Sequence, residues 1–375
     1  MIQINRQVLG FVSASFLLGS VSFGQSFEPA YSVTPSLANS IAQSSNAEAL
    51  LEQGNAKYAK KDYRGAIADY NEAIRLNPTF ALAYYNRGVA KSELGDKQGA
   101  IADYTNAIRI NQNWGNRSLD NAYYNRGVAK SELGDKQGAI ADYTNAIRLN
   151  PTYAEAYSNR GIAKSELRDK QGAIADLNEA IRINPNDAEA YYNRGVAKSE
   201  LGDKQGAIVD YNEAIRLNPN HTEAYYNRGV VKYHLGDKQG AIADFNEAIR
   251  LNPNDAEAYN NRGITKRALG DKQGAIADYN EAIRLNPTYA IAYYNRGLAK
   301  SELGDKQGEI ADYNEAIRLN PTYAIAYYNR GIAKSELGDK QGAIADYRES
   351  ARLYQQQGKT ADYENAQNQI RKLGG

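Results

Sequence analysis

The sequence predicts an all-α solenoid, and three observations carry that prediction. A 34-residue pattern, read most cleanly over 188–221 as AEAYYNRGVAKSELGDKQGAIVDYNEAIRLNPNH, recurs from residue 47 to about 347. Glycine stands eighth in every copy: Gly54, Gly88, Gly127, Gly161, Gly195, Gly229, Gly263, Gly297 and Gly331. Seven of the nine prolines fall at one place in the pattern. Fixed self-similarity at this period marks units that pack only on their neighbours.

Each copy reads as two helices. The first ends at a glycine in fifteenth place, such as Gly202, which can take the left-handed turn. Asp203 follows and can cap the second helix through its carboxylate. That helix runs to the residue before Pro219, which cannot continue it. Nine units begin at residues 47, 81, 120, 154, 188, 222, 256, 290 and 324.

These residues carry a family. The pattern resembles the tetratricopeptide repeat, whose eighth Gly, twentieth Ala, twenty-seventh Ala and thirty-second Pro are matched at Gly195, Ala207, Ala214 and Pro219. The aromatics at the fourth and twenty-fourth positions are Tyr191 and Tyr211. The small residues let two helices cross closely while the aromatics fill the space beside them. The resemblance implies a right-handed superhelix over 47–347, closed by a polar C-terminal cap over 348–375, where 360–373 reads as one more amphipathic helix.

Ahead of the array, residues 1–24 read as a secretory signal peptide. Arg6 precedes an apolar stretch over 8–21, and Ser22-Phe23-Gly24 offers the small side chains a signal peptidase accepts. The stretch is short for a membrane span and is diluted by Ser13, Ser15, Gly19 and Ser20, so membrane attachment is expected only if it stays uncleaved. Residues 25–46, rich in Ser, Ala, Asn and Gln with Pro29 and Pro35, read as a flexible linker. Repeats of this Tyr-Asn-Arg-Gly type resemble those frequent in bacteria, which makes periplasm, thylakoid lumen or the extracellular space the expected destination.

Composition narrows the function. The chain holds 45 basic against 44 acidic residues, without the charge excess expected of a nucleic-acid binder. Cysteine is absent, so no disulfide, thiolate metal site or cysteine nucleophile exists. His221 and His234 lack a metal-binding spacing; they read as a solvated turn residue and a groove residue. No phosphate loop or nucleophile elbow is present. Neither metal, cofactor nor catalysis is expected.

The unit departs from its own pattern in places. Units two and three start 39 residues apart, with Gln112 in the proline position and an extra segment, 115–119, after Trp114. Arg168 replaces the helix-ending glycine, and Glu309 replaces the close-packing alanine, which predicts a looser eighth unit. Arg and Lys at the seventh and eleventh positions, as in Arg194 and Lys198, fall on the core side of a helical wheel. Snorkelling of their charged ends accounts for this, and pairing with Asp210 on the second helix is a further expectation.

The second, fifth, sixth, ninth, twelfth and thirteenth residues of the first helix share the face opposite the core. In the family this face lines the concave groove. Stacked units form an asparagine ladder there, Asn86, Asn125, Asn159, Asn193, Asn227, Asn261, Asn295 and Asn329. A tyrosine ladder lies beside it, Tyr85, Tyr124, Tyr192, Tyr226, Tyr294 and Tyr328, interrupted by Ser158 and Asn260. An amide both donates and accepts, so a row of amides can bind peptide backbone of any sequence. The resemblance points the same way, since some long family members hold extended peptides by such a ladder. The alternative is that the amides bond to neighbouring helices or water. The basic clamp with which other members grip a C-terminal carboxylate is missing.

Residues 83–109 and 122–148 are identical over 27 positions, so the groove has little individuality from unit to unit. The expected function is a non-enzymatic scaffold for extended protein segments. Structural self-association and RNA binding are the rival readings.

Overall fold

The computed structural model describes residues 35–112, 114 and 118–374. The expected signal peptide, residues 25–34 of the linker and part of the inserted segment lie outside them. The described residues form nineteen helices and no strand. They pair in order as α1 (Pro35–Ala59) with α2 (Tyr63–Leu76), α3 (Ala81–Glu93) with α4 (Lys97–Ile110), and α5 (Leu119–Glu132) with α6 (Lys136–Leu149). Next come α7 (Ala154–Glu166) with α8 (Lys170–Ile183), α9 (Ala188–Glu200) with α10 (Lys204–Leu217), and α11 (Thr222–His234) with α12 (Lys238–Leu251). The last pairs are α13 (Ala256–Ala268) with α14 (Lys272–Leu285), α15 (Ala290–Glu302) with α16 (Lys306–Leu319), and α17 (Ala324–Glu336) with α18 (Lys340–Gln356), followed by α19 (Thr360–Lys372). Each helix packs chiefly on the one before and the one after it, which is a solenoid of nine helix pairs plus a cap.

Local chemistry sets the helix ends as the sequence predicts. Gly202 turns the chain at φ +89°, and the Asp203 carboxylate accepts the N–H of Gly206 at 2.9 Å. A Cβ on Gly206 would run into that carboxylate, so the second glycine of the turn makes room for the cap. At the far end Asn218 Oδ1 accepts the N–H of Asn220 at 3.1 Å across Pro219. Arg168 keeps the left-handed conformation of the glycine it replaces, at φ +69°.

Close helix crossing follows from the small residues. A Cβ on Gly195 would lie 2.8 Å from the ring of Tyr211, and Ala207 and Ala214 are wholly buried. The expected loosening at Glu309 is absent. The glutamate is buried, Lys306 lies 3.2 Å from its Oε2, and a Cβ on Gly297 would meet the Tyr313 ring at 2.6 Å, as tightly as elsewhere. The long, bendable side chain fits beside the crossing without parting the helices.

The core carries a charged trio in each regular unit. Arg194 Nη2 and Nε donate to the two oxygens of Asp210 at 2.6 and 2.9 Å, and Lys198 Nζ lies 2.8 Å from Oδ2. The same guanidinium donates to Asn178 on the preceding α8 at 2.8 Å and sits over the Tyr191 ring at 5.3 Å. Arginine therefore pairs within its unit, as expected, and also bolts that unit to the one before. Equivalent trios stand at Asp103, Asp142, Asp176, Asp244, Asp278, Asp312 and Asp346.

Both ends differ from expectation. Helix α1 starts at Pro35, so 35–46 is helical rather than a non-helical linker. Proline suits a first helical turn, where its missing N–H is not needed, and the packed part of the helix from Ala47 onward propagates upstream through Ala, Ser and Gln. At the other end, residues 348–356 continue α18 instead of belonging to the cap, because Gln355 stands where proline stops the other second helices. Helix α19 closes the stack as expected, with Ile370 packed on Ile344 and Tyr347 and with Tyr363 on Tyr354. No helix among the described residues is long and apolar enough to cross a membrane.

Candidate functional site

Successive first helices approach one another along one side of the stack, from α1 with α3 to α13 with α15. That side is the inner face, and the fifth, sixth and ninth residues of each unit line it. Along its middle runs a half-buried aliphatic stripe: Val89, Val128, Ile162, Val196, Val230, Ile264, Leu298 and Ile332.

Beside the stripe, the two ladders do not stand free. Each is the hydrogen-bonding partner of the other, one unit out of step. Asn125 Nδ2 donates to Tyr85 Oη at 2.8 Å, Asn159 to Tyr124 at 2.9 Å, and Asn227 to Tyr192 at 3.0 Å. Asn261 donates to Tyr226 at 2.7 Å and Asn329 to Tyr294 at 3.0 Å. Tyr328 is met at 3.4 Å by Gln369 of α19, so the cap continues the pattern with a different amide. Where tyrosine is absent an asparagine of the preceding unit takes its part, in the fifth position at Asn260 but one turn further on, in the ninth, at Asn55. Asn86 donates to Asn55 and Asn295 to Asn260, both at 2.9 Å, and Asn295 is buried. The reading in which the amides bond to neighbouring helices is the geometry found for these seven, and each bond clasps adjacent units. Each clasp bond uses one amide N–H of the asparagine.

The tyrosines are seated from behind and from the side. Tyr192 packs on Tyr211 at 6.1 Å between ring centres, and Tyr226 on Phe245 at 6.0 Å. A second ring, at the thirty-fourth position, flanks several of them: Tyr153 lies 4.8 Å from Tyr124, His221 4.6 Å from Tyr192, and Tyr323 5.0 Å from Tyr294. Trp114 also stands thirty-fourth in its unit and meets Tyr85 edge-on at 6.1 Å. It is a regular groove ring followed by an insertion, a position sequence counting could have revealed. His221, expected in a solvated turn, is buried between Glu189 and Glu223 (3.5 and 3.3 Å); His234 is exposed beside Tyr233.

Burial, then the nearby Glu223 and Glu189 carboxylates, push the Tyr192 phenol up to about 12; burial likewise raises Tyr124, Tyr226 and Tyr294. The phenols stay protonated at neutral pH. Having accepted an amide proton, each phenol still has a hydroxyl hydrogen to donate, which Tyr226 directs to Glu257 at 3.5 Å.

One unit breaks both aromatic rows. In the fourth, Ser158 stands in the fifth position and Leu177 in the twenty-fourth. Asn193, left without a tyrosine hydroxyl across the joint, turns back to donate to the Glu189 carbonyl of its own helix at 2.8 Å. A recess of about 670 Å³ opens there between α7 and α9, floored by Ile162, Leu177 and Val196 and edged by Ser165, Arg168 and Asn193. The Ser158 break is visible in the tyrosine ladder; its coincidence with Leu177 emerges only when both rows are laid side by side.

Comparison with known proteins agrees with this architecture. A family model described as "Tetratricopeptide repeat" matches 81–113, 121–153, 188–221 and 222–255, with further models of that description at 245–277 and 290–323. Another, described as "TPR repeat", matches 54–95, 171–202, 265–304 and 310–338. No curated protein sequence matches. Among solved structures, MamA is 28% identical over 46% of this chain and 94% of its own, with a TM-score of 0.42. A tetratricopeptide repeat protein from Parabacteroides merdae is 23% identical over 68% of this chain and 99% of its own, at 0.49. The pilF protein of Pseudomonas aeruginosa is 17% identical over 57% of this chain and 96% of its own, at 0.50. With its repeats matched along most of the array, the chain belongs to the tetratricopeptide repeat family.

Proposed function

We propose that the protein is a non-catalytic scaffold whose inner face holds extended segments of other proteins. The observation that carries this reading is the composition of that face. An aliphatic stripe runs unbroken from Val89 to Ile332 beside a row of amides and phenols whose hydrogen-bonding capacity is only partly used. Apolar side chains of a segment would pack on the stripe, and its backbone would take the spare amide and hydroxyl groups. Near-identical units favour a segment that is itself extended or repetitive.

Selection of unstructured peptides by the purified chain tests the reading, beside a variant carrying Val196→Glu, Val230→Glu and Ile264→Glu. Peptides are expected to be enriched by the parent and lost by the variant while its helical circular dichroism persists. Equal enrichment by both would move the site off the inner face.

The rival readings have less support. Charges balanced at 45 and 44 give RNA no electrostatic draw, and helix α19 covers one end of the stack against end-to-end growth. The signal-like residues 1–24 support export of the array, with Gln25 as the first residue of the mature chain; N-terminal sequencing of protein from its native compartment checks this.

A further inference from the structure

We propose that the recess of the fourth unit is the specificity pocket of the groove, and that it takes a tyrosine side chain from the bound segment. This rests on the groove reading above and deepens it. The reason lies in what the other units put in the same place.

The twenty-fourth position is tyrosine or phenylalanine in every unit but the fourth: Tyr70, Tyr104, Tyr143, Tyr211, Phe245, Tyr279, Tyr313 and Tyr347. The fifth position lacks an aromatic in the first, fourth and seventh units, at Leu51, Ser158 and Asn260. Only the fourth unit lacks both rings. Its remaining polar groups are those that elsewhere serve two neighbouring tyrosines, one in the twenty-fourth position and one in the fifth. Ser165 occupies the place of Ser131, which stands beside the Tyr143 hydroxyl, and its own Oγ accepts from Lys170 at 3.0 Å. Asn193 occupies the place of Asn159, Asn227 and Asn261, each of which donates to a phenol at 2.9, 3.0 and 2.7 Å. Here that donor is folded back on its own helix for want of a partner across the joint. Ile162, Leu177 and Val196 supply apolar walls, and the volume of about 670 Å³ lies within the range of ligand sites.

The array thus presents a seat shaped and wired for a phenol and without one of its own. A tyrosine from outside would pack its ring on the half-buried Ile162 and Val196, with the fully covered Leu177 behind them. Its hydroxyl would accept from Asn193, released from the Glu189 carbonyl, and donate to Ser165 or Glu166 at the edge. In a groove of near-identical units, one such seat also fixes the register of an extended partner.

The test uses methyl-labelled full chain and three probes: N-acetyltyrosinamide, N-acetylphenylalaninamide and N-acetylalaninamide. Leucine at the twenty-fourth position occurs once in the array, which makes the Leu177 methyl signals distinctive. The tyrosine probe is expected to shift Leu177, Ile162 and Val196, the phenylalanine probe to bind about fivefold more weakly, and the alanine probe to shift nothing. A double variant, Ser158→Tyr with Leu177→Tyr, restores what other units carry; it should fold, keep its helical circular dichroism and lose the tyrosine response. No shift at Leu177, an undiminished response in the filled variant, or equal affinity for the phenylalanine probe would each overturn the pocket. If peptides are still captured by the inner face in that event, the groove stands without it. If the tyrosine probe seats but no peptide is enriched, the bound segment falls and the proposal with it.

Discussion

Asn227 and Asn193 occupy the same position in adjacent units yet do different things. Asn227 bonds across the joint to Tyr192, whereas Asn193 bonds within its own helix. Asn227→Ala should therefore lower stability by about 1 kcal/mol in chemical denaturation with no ligand present, and Asn193→Ala by clearly less. A loss of partner binding in an asparagine variant must be compared with this structural effect before it counts as contact. Glu309 makes a second case. A carboxylate buried at a helix crossing, with only Lys306 close to its Oε2, is dearer than the alanine found there in other units. Glu309→Ala should raise stability by about 1–2 kcal/mol on the same measurement.

At the scale of the helix, ends and crossings were legible because each depends on one residue type. Glycine in the fifteenth place, aspartate after it and proline in the thirty-second set the boundaries, and the structure puts the caps where those residues stand. Legibility failed where the end signal was missing. Helix α1 runs upstream to Pro35 because nothing in 36–46 stops it, and α18 overruns because Gln355 is not proline. The ladders were legible as rows but not as partners, since a helical wheel treats one helix at a time and the Asn–Tyr bond joins two. Arg168 tests the rule for turns. It holds a left-handed backbone that costs a side-chain-bearing residue about 1 kcal/mol, so Arg168→Gly should raise the thermal midpoint, while Gly202→Ala should lower it.

Across the whole molecule, stability is a sum of similar joints, and tyrosine is in most of them. Burial raises the phenols of Tyr192, Tyr323, Tyr347 and Tyr354 to about 12, and others such as Tyr211 and Tyr279 further, from an ordinary value of 10.0. In the unfolded chain these groups lose their protons near pH 10, while the folded array holds them protonated to higher pH. Their contribution is therefore complete below pH 10 and is lost as pH rises through about 12. Titration followed by circular dichroism and tyrosinate absorbance should show the helices melting together with a late, steep ionisation. Early ionisation with the helices intact would mean the rings are not packed as described.

The central claim concerns the inner face, and site-specific photo-crosslinking addresses it most directly. A photoreactive residue at Val230, on the half-buried stripe, is compared with one at Arg250, exposed on the second helix of the same unit. In the presence of peptides selected by the parent chain, the Val230 probe is predicted to label peptide and the Arg250 probe to label none. Labelling from Arg250 that equals or exceeds that from Val230 would contradict the account and place the binding surface on the outside of the solenoid.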